Sequence, residues 1–133
     1  MILVINTSDN KEFHIALLEK QNCLCFRDVQ APFEQEEFFL TTLSEMLAEL
    51  NQKITAIEAI GIVDGPGSFS SLRIGLTVAN TLAWSLAIPI VDIHGDEFGS
   101  RDELYQLTLE RLSNSNNHKQ SVLPVYGKEP NIG

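Results

Sequence analysis

Apolar and polar positions along the chain alternate between two periods. Ile2 to Ile5 is a near-continuous apolar run that stops at Asn6-Thr7-Ser8-Asp9-Asn10, the pattern of a strand buried on both faces and followed by a turn. Phe13 to Glu19 and Cys23 to Val29 read as two further strands, joined by the polar Lys20-Gln21-Asn22 in a connection of hairpin length. After Ala31-Pro32 the period changes. Phe39, Leu43, Met46, Leu47 and Leu50 recur at three and four residues and predict an amphipathic helix, with Glu34, Glu36 and Glu37 at its positive end. Ile57 to Val63 is a fourth strand, and Leu72 to Leu86 a second helix whose polar residues are few: Arg73, Thr77, Asn80, Thr81 and Ser85. Pro89 closes that helix, Ile88 to Ile93 is a fifth strand, and Ser100 with Glu103 forms a capping box that opens a third helix with Tyr105, Leu109 and Leu112 on one face. A polar loop, Ser113 to His118, and a short extended piece, Val122 to Tyr126, complete the order.

Three strands, then helix, strand, helix, strand, helix describe an antiparallel hairpin half joined by right-handed crossovers in one mixed sheet. The fold class read from this is α/β, the ribonuclease H-like plan that forms one half of actin-like ATPases, with helices flanking the sheet. The reading places that domain at residues 1–98, with the helix, polar loop and short extended segment of 99–133 packed on the same domain. The chain holds one such half and no internal repeat.

Composition narrows the function. The 133 residues carry 18 Asp and Glu against 9 Lys and Arg, a net charge of -9, which is the wrong sign for neutralising phosphates, so direct nucleic-acid binding is not expected. The start has no basic segment or cleavage site, and the reading is a cytoplasmic protein without a membrane anchor. Cys23 and Cys25, two apart in a strand, are expected on one face of it, reduced and buried. With only two cysteines and three scattered histidines, no structural zinc site and no cofactor are expected.

The sharpest local feature is GPGSFSSLRIG, residues 65–75. Gly65 and Gly67 permit an abrupt strand-to-helix turn, and Gly65, Gly67, Ser68 and Ser70 at a helix start are a candidate anion-binding loop. A tight structural turn is the rival reading, since no Lys follows as in a nucleotide-binding P-loop. For catalysis the carboxyl ends of the strands supply Asn6, which carries no charge, with Asp9 and Asp64 nearby, while Asp92, His94, Asp96 and Glu97 crowd the end of the fifth strand as an exposed loop would. Ser68, Ser70 and Ser71 have no His close in sequence, and helix capping accounts for them. No catalytic or metal residue is assigned. Gly75, Ala79 and Ala83 form a row of small side chains in the second helix, with Leu72, Leu76, Leu82, Trp84 and Leu86 around it, which invites close approach by another backbone.

Asn6-Thr7-Ser8, then IGIVDGPGSFSSLRIGL at 60–76, LAIPIV at 86–91 and the closing LPVYGKEPN together resemble the TsaB (YeaZ) family of glycoprotease-like proteins, over roughly residues 1–98. The resemblance implies two ribonuclease H-like halves, of which most of the second is missing here and 99–133 is the remnant, and a non-catalytic subunit that binds a TsaD-like enzyme through its first two helices. A TsaE-like ATPase joins them in making threonylcarbamoyladenosine (t6A) in tRNA. Carried onto this chain, the interface is Phe39, Leu43, Met46 and Leu50 of the first helix with Leu72, Leu76, Ala79 and Ala83 of the second, and without a partner the same surface is expected to form a homodimer. The chain departs from the family pattern at Asn6 (Asp in the family), at Ser70-Ser71 (Thr-Gly) and at Gln35-Glu36-Glu37 (His-Ser-Glu). The rival functions are a nucleotide- or metal-dependent enzyme of the same superfamily and a small anion-binding regulatory domain.

Overall fold

A computed structural model describes residues 1–30 and 36–125. Strands β1 (Ile2–Asn6), β2 (Glu12–Glu19) and β3 (Asn22–Gln30) lead to helix α1 (Glu36–Glu49), followed by β4 (Ala59–Gly65), α2 (Phe69–Leu86), β5 (Ile90–His94) and α3 (Arg101–Leu112). The sheet order is β3-β2-β1-β4-β5. β1 and β3 run antiparallel to β2, whereas β4 is parallel to β1 and β5 parallel to β4. This is the mixed sheet with flanking helices that the period changes predict. Of the expected features, Glu34 and the Tyr126 end of the last extended piece lie outside the described residues.

The sheet is covered on both faces. On one, Leu3, Ile5, Phe13, Ile15, Leu17, Ile60 and Ile62 meet Phe39, Leu43 and Met46 of α1 and Leu72, Leu76, Ala79 and Ala83 of α2. On the other, Val4, Ala16, Leu18, Val63, Val91 and Ile93 meet Leu104 of α3. Helix α2 starts three residues earlier than its apolar pattern, because Ser68 caps it by accepting a hydrogen bond from the Ser71 amide at 3.3 Å. It ends at Ala87 in the left-handed region, with Pro89 beyond.

Two expectations are corrected by this packing. The row of small residues on α2 does admit a close backbone, but the chain's own: a Cβ added at Gly75 would stand 2.3 Å from Thr7 Oγ1, in the turn after β1. Ala79 and Ala83 are 0% and 3% exposed, so the sheet and α1 seal the row. The cysteines do not share a face either. Leu17 pairs with Cys25 and Leu18 with Cys23, which makes Leu24 the extra residue of a bulge. That residue turns Cys25 toward the α1 layer and Cys23 toward Tyr105 of α3, and Cys23 is exposed.

A buried polar relay fastens α3 to the sheet. His14 is 8% exposed; its Nδ1 lies 2.7 Å from Asp28 Oδ1 and its Nε2 2.7 Å from the Tyr105 hydroxyl. Arg101, stacked over Phe26, pairs with the same Asp28 carboxylate. Burial holds His14 below its ordinary pKa against the pull of Asp28. Nδ1–H then donates to Asp28 and the Tyr105 O–H donates to Nε2. At the far end of α3, Arg111 donates to the Asp92 carbonyl at 2.8 Å and forks onto the Glu97 carboxylate, which it holds down at about 2.

After residue 118 the chain returns along α2. The Lys119 amide donates to the Ile90 carbonyl at 2.8 Å, and Asn80 clasps Val122 through both its amide groups, Nδ2 to the carbonyl at 3.0 Å and Oδ1 from the N–H at 2.8 Å. Val122 is buried in the α1–α2 core. The Val125 amide then reaches the Asp64 carbonyl at 2.7 Å.

Gly75→Ala is expected to cost about 1–3 kcal/mol by overpacking against Thr7, read as a lower midpoint in urea unfolding; an unchanged midpoint contradicts the close approach. Because native His14 is held neutral, the unfolded chain binds the extra proton as pH falls below about 6.5. Stability is therefore expected to fall as pH drops through and below about 6.5, and His14→Gln to flatten that slope in thermal melts. A slope that survives the substitution assigns the proton elsewhere.

Candidate functional site

The carboxyl ends of β1, β4 and β5 hold the polar groups that the sequence marks for chemistry. Asp64 ends β4 buried, facing His94 Nδ1 at 3.3 Å, and His94 Nε2 lies 3.1 Å from Asp96. Burial pushes the Asp64 carboxyl above its usual range, opposed by His94. Glu97 accepts the His94 amide at 2.8 Å as well as Arg111, and Asp92 lies 3.8 Å from Lys119. At the end of β1, Asn6 Oδ1 accepts from the Ser8 amide at 3.0 Å and its hydroxyl at 2.6 Å, and Asp9 accepts from the Lys11 amide at 2.8 Å. Each acid is thus engaged by a neighbour. Among the described residues, no three His, Cys, Asp or Glu side chains are grouped to hold a metal.

The Gly65–Ser70 loop is packed as a turn. Gly65 has φ +137°, and a Cβ there would meet the Val125 carbonyl oxygen at 1.7 Å. The Ser68 amide donates to the Ser8 carbonyl at 3.3 Å, and Ser68 and Ser71 hydroxyls pair at 2.5 Å. Ser70 is half-buried. Contacts within the chain therefore explain both Gly65 and the capping serines without an anion.

Sequence reasoning missed the Asp28–His14–Tyr105 relay, whose members come from three elements far apart in the chain. It extends toward the Cys23 thiol and resembles the base-and-orienter arrangement that activates a nucleophile. The electrostatics run the other way. Partial desolvation of its sulfur raises the Cys23 thiol although the residue as a whole is exposed, and burial with the neighbouring Cys23 raises the Tyr105 phenol, so both keep their protons. A cleft of about 330 Å³ beside the relay is lined by Asn6, Ser8, His14, Asp28, Phe98 and Arg101, and its central charges, Asp28 and Arg101, already satisfy one another.

The remaining candidate is the outer face of α1 and α2. The residues expected there are in the core: Phe39, Leu43, Met46, Leu72, Leu76, Ala79 and Ala83 are at most 4% exposed, and Leu50 is half-buried. The reason is the sheet's width. Five strands and the return of Val122 supply enough apolar surface to cover both helices. What the helices do present to solvent includes Trp84, 83% exposed, with Phe69, Arg73, Thr77 and Thr81 on α2, and Phe38 and Leu40 on α1 with Ile54 just beyond it. The signal that finds these residues is the complement of the core repeat, four residues apart at 73, 77 and 81 and three more to 84.

Comparison with known proteins gives this arrangement a family. The family model described as TsaD, tRNA N6-adenosine threonylcarbamoyltransferase, matches residues 34–97. The chain is 34% identical over 89 residues to the tRNA threonylcarbamoyladenosine biosynthesis protein TsaB of Bacillus subtilis, covering 67% of this chain and 38% of that one. It is 38% identical over 58 residues to the tRNA N6-adenosine threonylcarbamoyltransferase of Treponema pallidum, 44% of this chain and 16% of the relative. The solved structure of YeaZ from Pseudomonas aeruginosa superposes with a TM-score of 0.64 at 27% identity, over 70% of this chain and 43% of that one. The chain therefore spans less than half the length of these relatives. No helix among the described residues is long and apolar enough to cross a membrane. Its strand order, its GPGSF turn and a likeness that runs through both sequence and backbone agree: the chain belongs to the TsaB (YeaZ) family.

Proposed function

We propose that the chain is a non-catalytic scaffold that binds and stabilises a TsaD-like enzyme in t6A modification of tRNA, with a TsaE-like ATPase as a further partner. The observation that carries this reading is the exposed face of α2. It bears a tryptophan at 83% exposure, and the helix has no acidic residue in a chain of net charge -9. An exposed tryptophan on a helix face whose one charge is a cation, Arg73, has the composition of an interface anchor. The polar groups at the strand ends support the same reading, because they hold one another and leave no activated nucleophile or metal cluster among the described residues. The tRNA itself is assigned to the enzyme's surface, since this chain lacks the positive charge to hold phosphates.

Co-expression with the TsaD-like enzyme of the same source, followed by affinity capture, tests the proposal. Capture is expected, and Trp84→Ala should weaken it at least about tenfold with an unchanged circular dichroism spectrum. A charge at Ala79, by contrast, is expected to unfold the chain, because that site is fully buried. Failure of the unsubstituted chain to capture the enzyme overturns the scaffold reading.

A further inference from the structure

Beyond the polar loop the chain returns along α2 as an extended strap. The Lys119 amide ties it to the Ile90 carbonyl at one end and the Val125 amide to the Asp64 carbonyl at the other, so the strap runs from the end of α2 back toward its start. Between those ties Asn80 grips Val122 by both backbone groups. Alternate side chains of an extended segment point to opposite sides, and here Val122 is 3% exposed while Leu123 is 80% exposed. Leu123 is thus held out in solvent by a backbone anchored on either side of it, and an apolar side chain fixed in this way loses little freedom when a partner covers it. Trp84 follows Asn80 by one helical turn and stands on the same side of α2, so the indole and Leu123 flank the Asn80–Val122 clasp. Among the described residues they are the two most exposed large apolar side chains.

Helix and strap also share a charge pattern. Residues 69–86 and 118–125 contain none of the chain's 18 acidic residues; their cations are Arg73, which lies over the Phe69 ring, and Lys119, which reaches Asp92 at 3.8 Å. We infer that the strap is a docking element of its own for the TsaD-like enzyme, with Leu123 entering an apolar hollow of that partner whose border is acidic. The inference rests on the scaffold reading and extends the contact from the helix to the returning chain. Two cations are too few to hold a nucleic-acid backbone, whereas large apolar side chains fixed in solvent are the anchors of protein interfaces. Two segments free of carboxylates spare an acidic border the repulsion that the rest of this chain, at a net charge of -9, would bring to it.

Affinity for the TsaD-like enzyme of the same source, measured for the full chain and its variants, tests the inference. Leu123→Ser alters a side chain that stands in solvent, so the variant should keep the unsubstituted chain's thermal midpoint while its dissociation constant for the enzyme rises at least about tenfold. Arg73→Glu should weaken binding by a similar factor. Leu24→Ser removes exposed apolar surface from β3, far from the strap in the sheet order, and should leave the affinity unchanged. A photo-crosslinking phenylalanine analogue in place of Leu123 should join the strap to the enzyme, and the same analogue in place of Leu24 should not. Full affinity in Leu123→Ser, an equal loss in Leu24→Ser, or no crosslink from position 123 to an enzyme that the chain captures overturns the strap and leaves the scaffold reading standing. Full affinity in Arg73→Glu overturns the acidic border. An unsubstituted chain that does not bind the enzyme overturns both readings together.

Discussion

Everything in this molecule follows from how closely α2 lies on the sheet. Gly75 brings the helix within van der Waals reach of Thr7, and Ala79 and Ala83 continue the same contact line. A helix seated that deep buries its small and branched residues and turns the opposite stripe, Arg73 to Trp84, outward. The turn after β1 and the loop before α2 are drawn together by the same approach, which is why the Ser68 amide finds the Ser8 carbonyl and Ser68 is left to cap the helix. The polar ends of the strands are consequently filled by the chain itself. The far side of α2, with Trp84 near its end, is one of the apolar surfaces that reach solvent.

Much of the fold was legible because its signals are local. The hairpin, the two crossovers and the helix start at Ser100 each rest on neighbouring residues, and each formed where the pattern placed it to within a few residues, although of the expected capping box only the Ser100 half is made, its hydroxyl accepting the Glu103 amide. What failed was counting across the structure. The apolar width of α2 looked too great for one sheet to cover, yet a five-stranded sheet together with α1 and Val122 covers it. The buried repeat was thereby mistaken for the docking surface, when the residues between its members are the exposed ones. The bulge at Leu24 is another such case: one extra residue reverses the face of Cys23, and nothing in the alternation of Cys23-Leu24-Cys25 announces it. His14, Asp28 and Tyr105 are ordinary residues in three separate elements, joined only by the register of β2 on β3 and the seat of α3.

The polar side chains describe a protein that has spent its charges on holding itself together. Asp64 and Asp96 flank His94, Glu97 is held by Arg111, and Asp28 is shared by His14 and Arg101. Groups so engaged are poorly placed to take up a metal ion or to move a proton for a substrate. The exposed helix face is what the proposed scaffold reading rests on.

The central claim is that α2 is secured by its own sheet, so that its partner face is supplementary to the fold. Amide hydrogen exchange on the isolated chain at low concentration measures this directly. Amides of Leu76 to Ala83 should exchange only through global unfolding, as slowly as those of β1 and β4. Fast exchange of α2 while the strands stay protected would mean that the helix depends on a partner to stay in place, and would contradict the account.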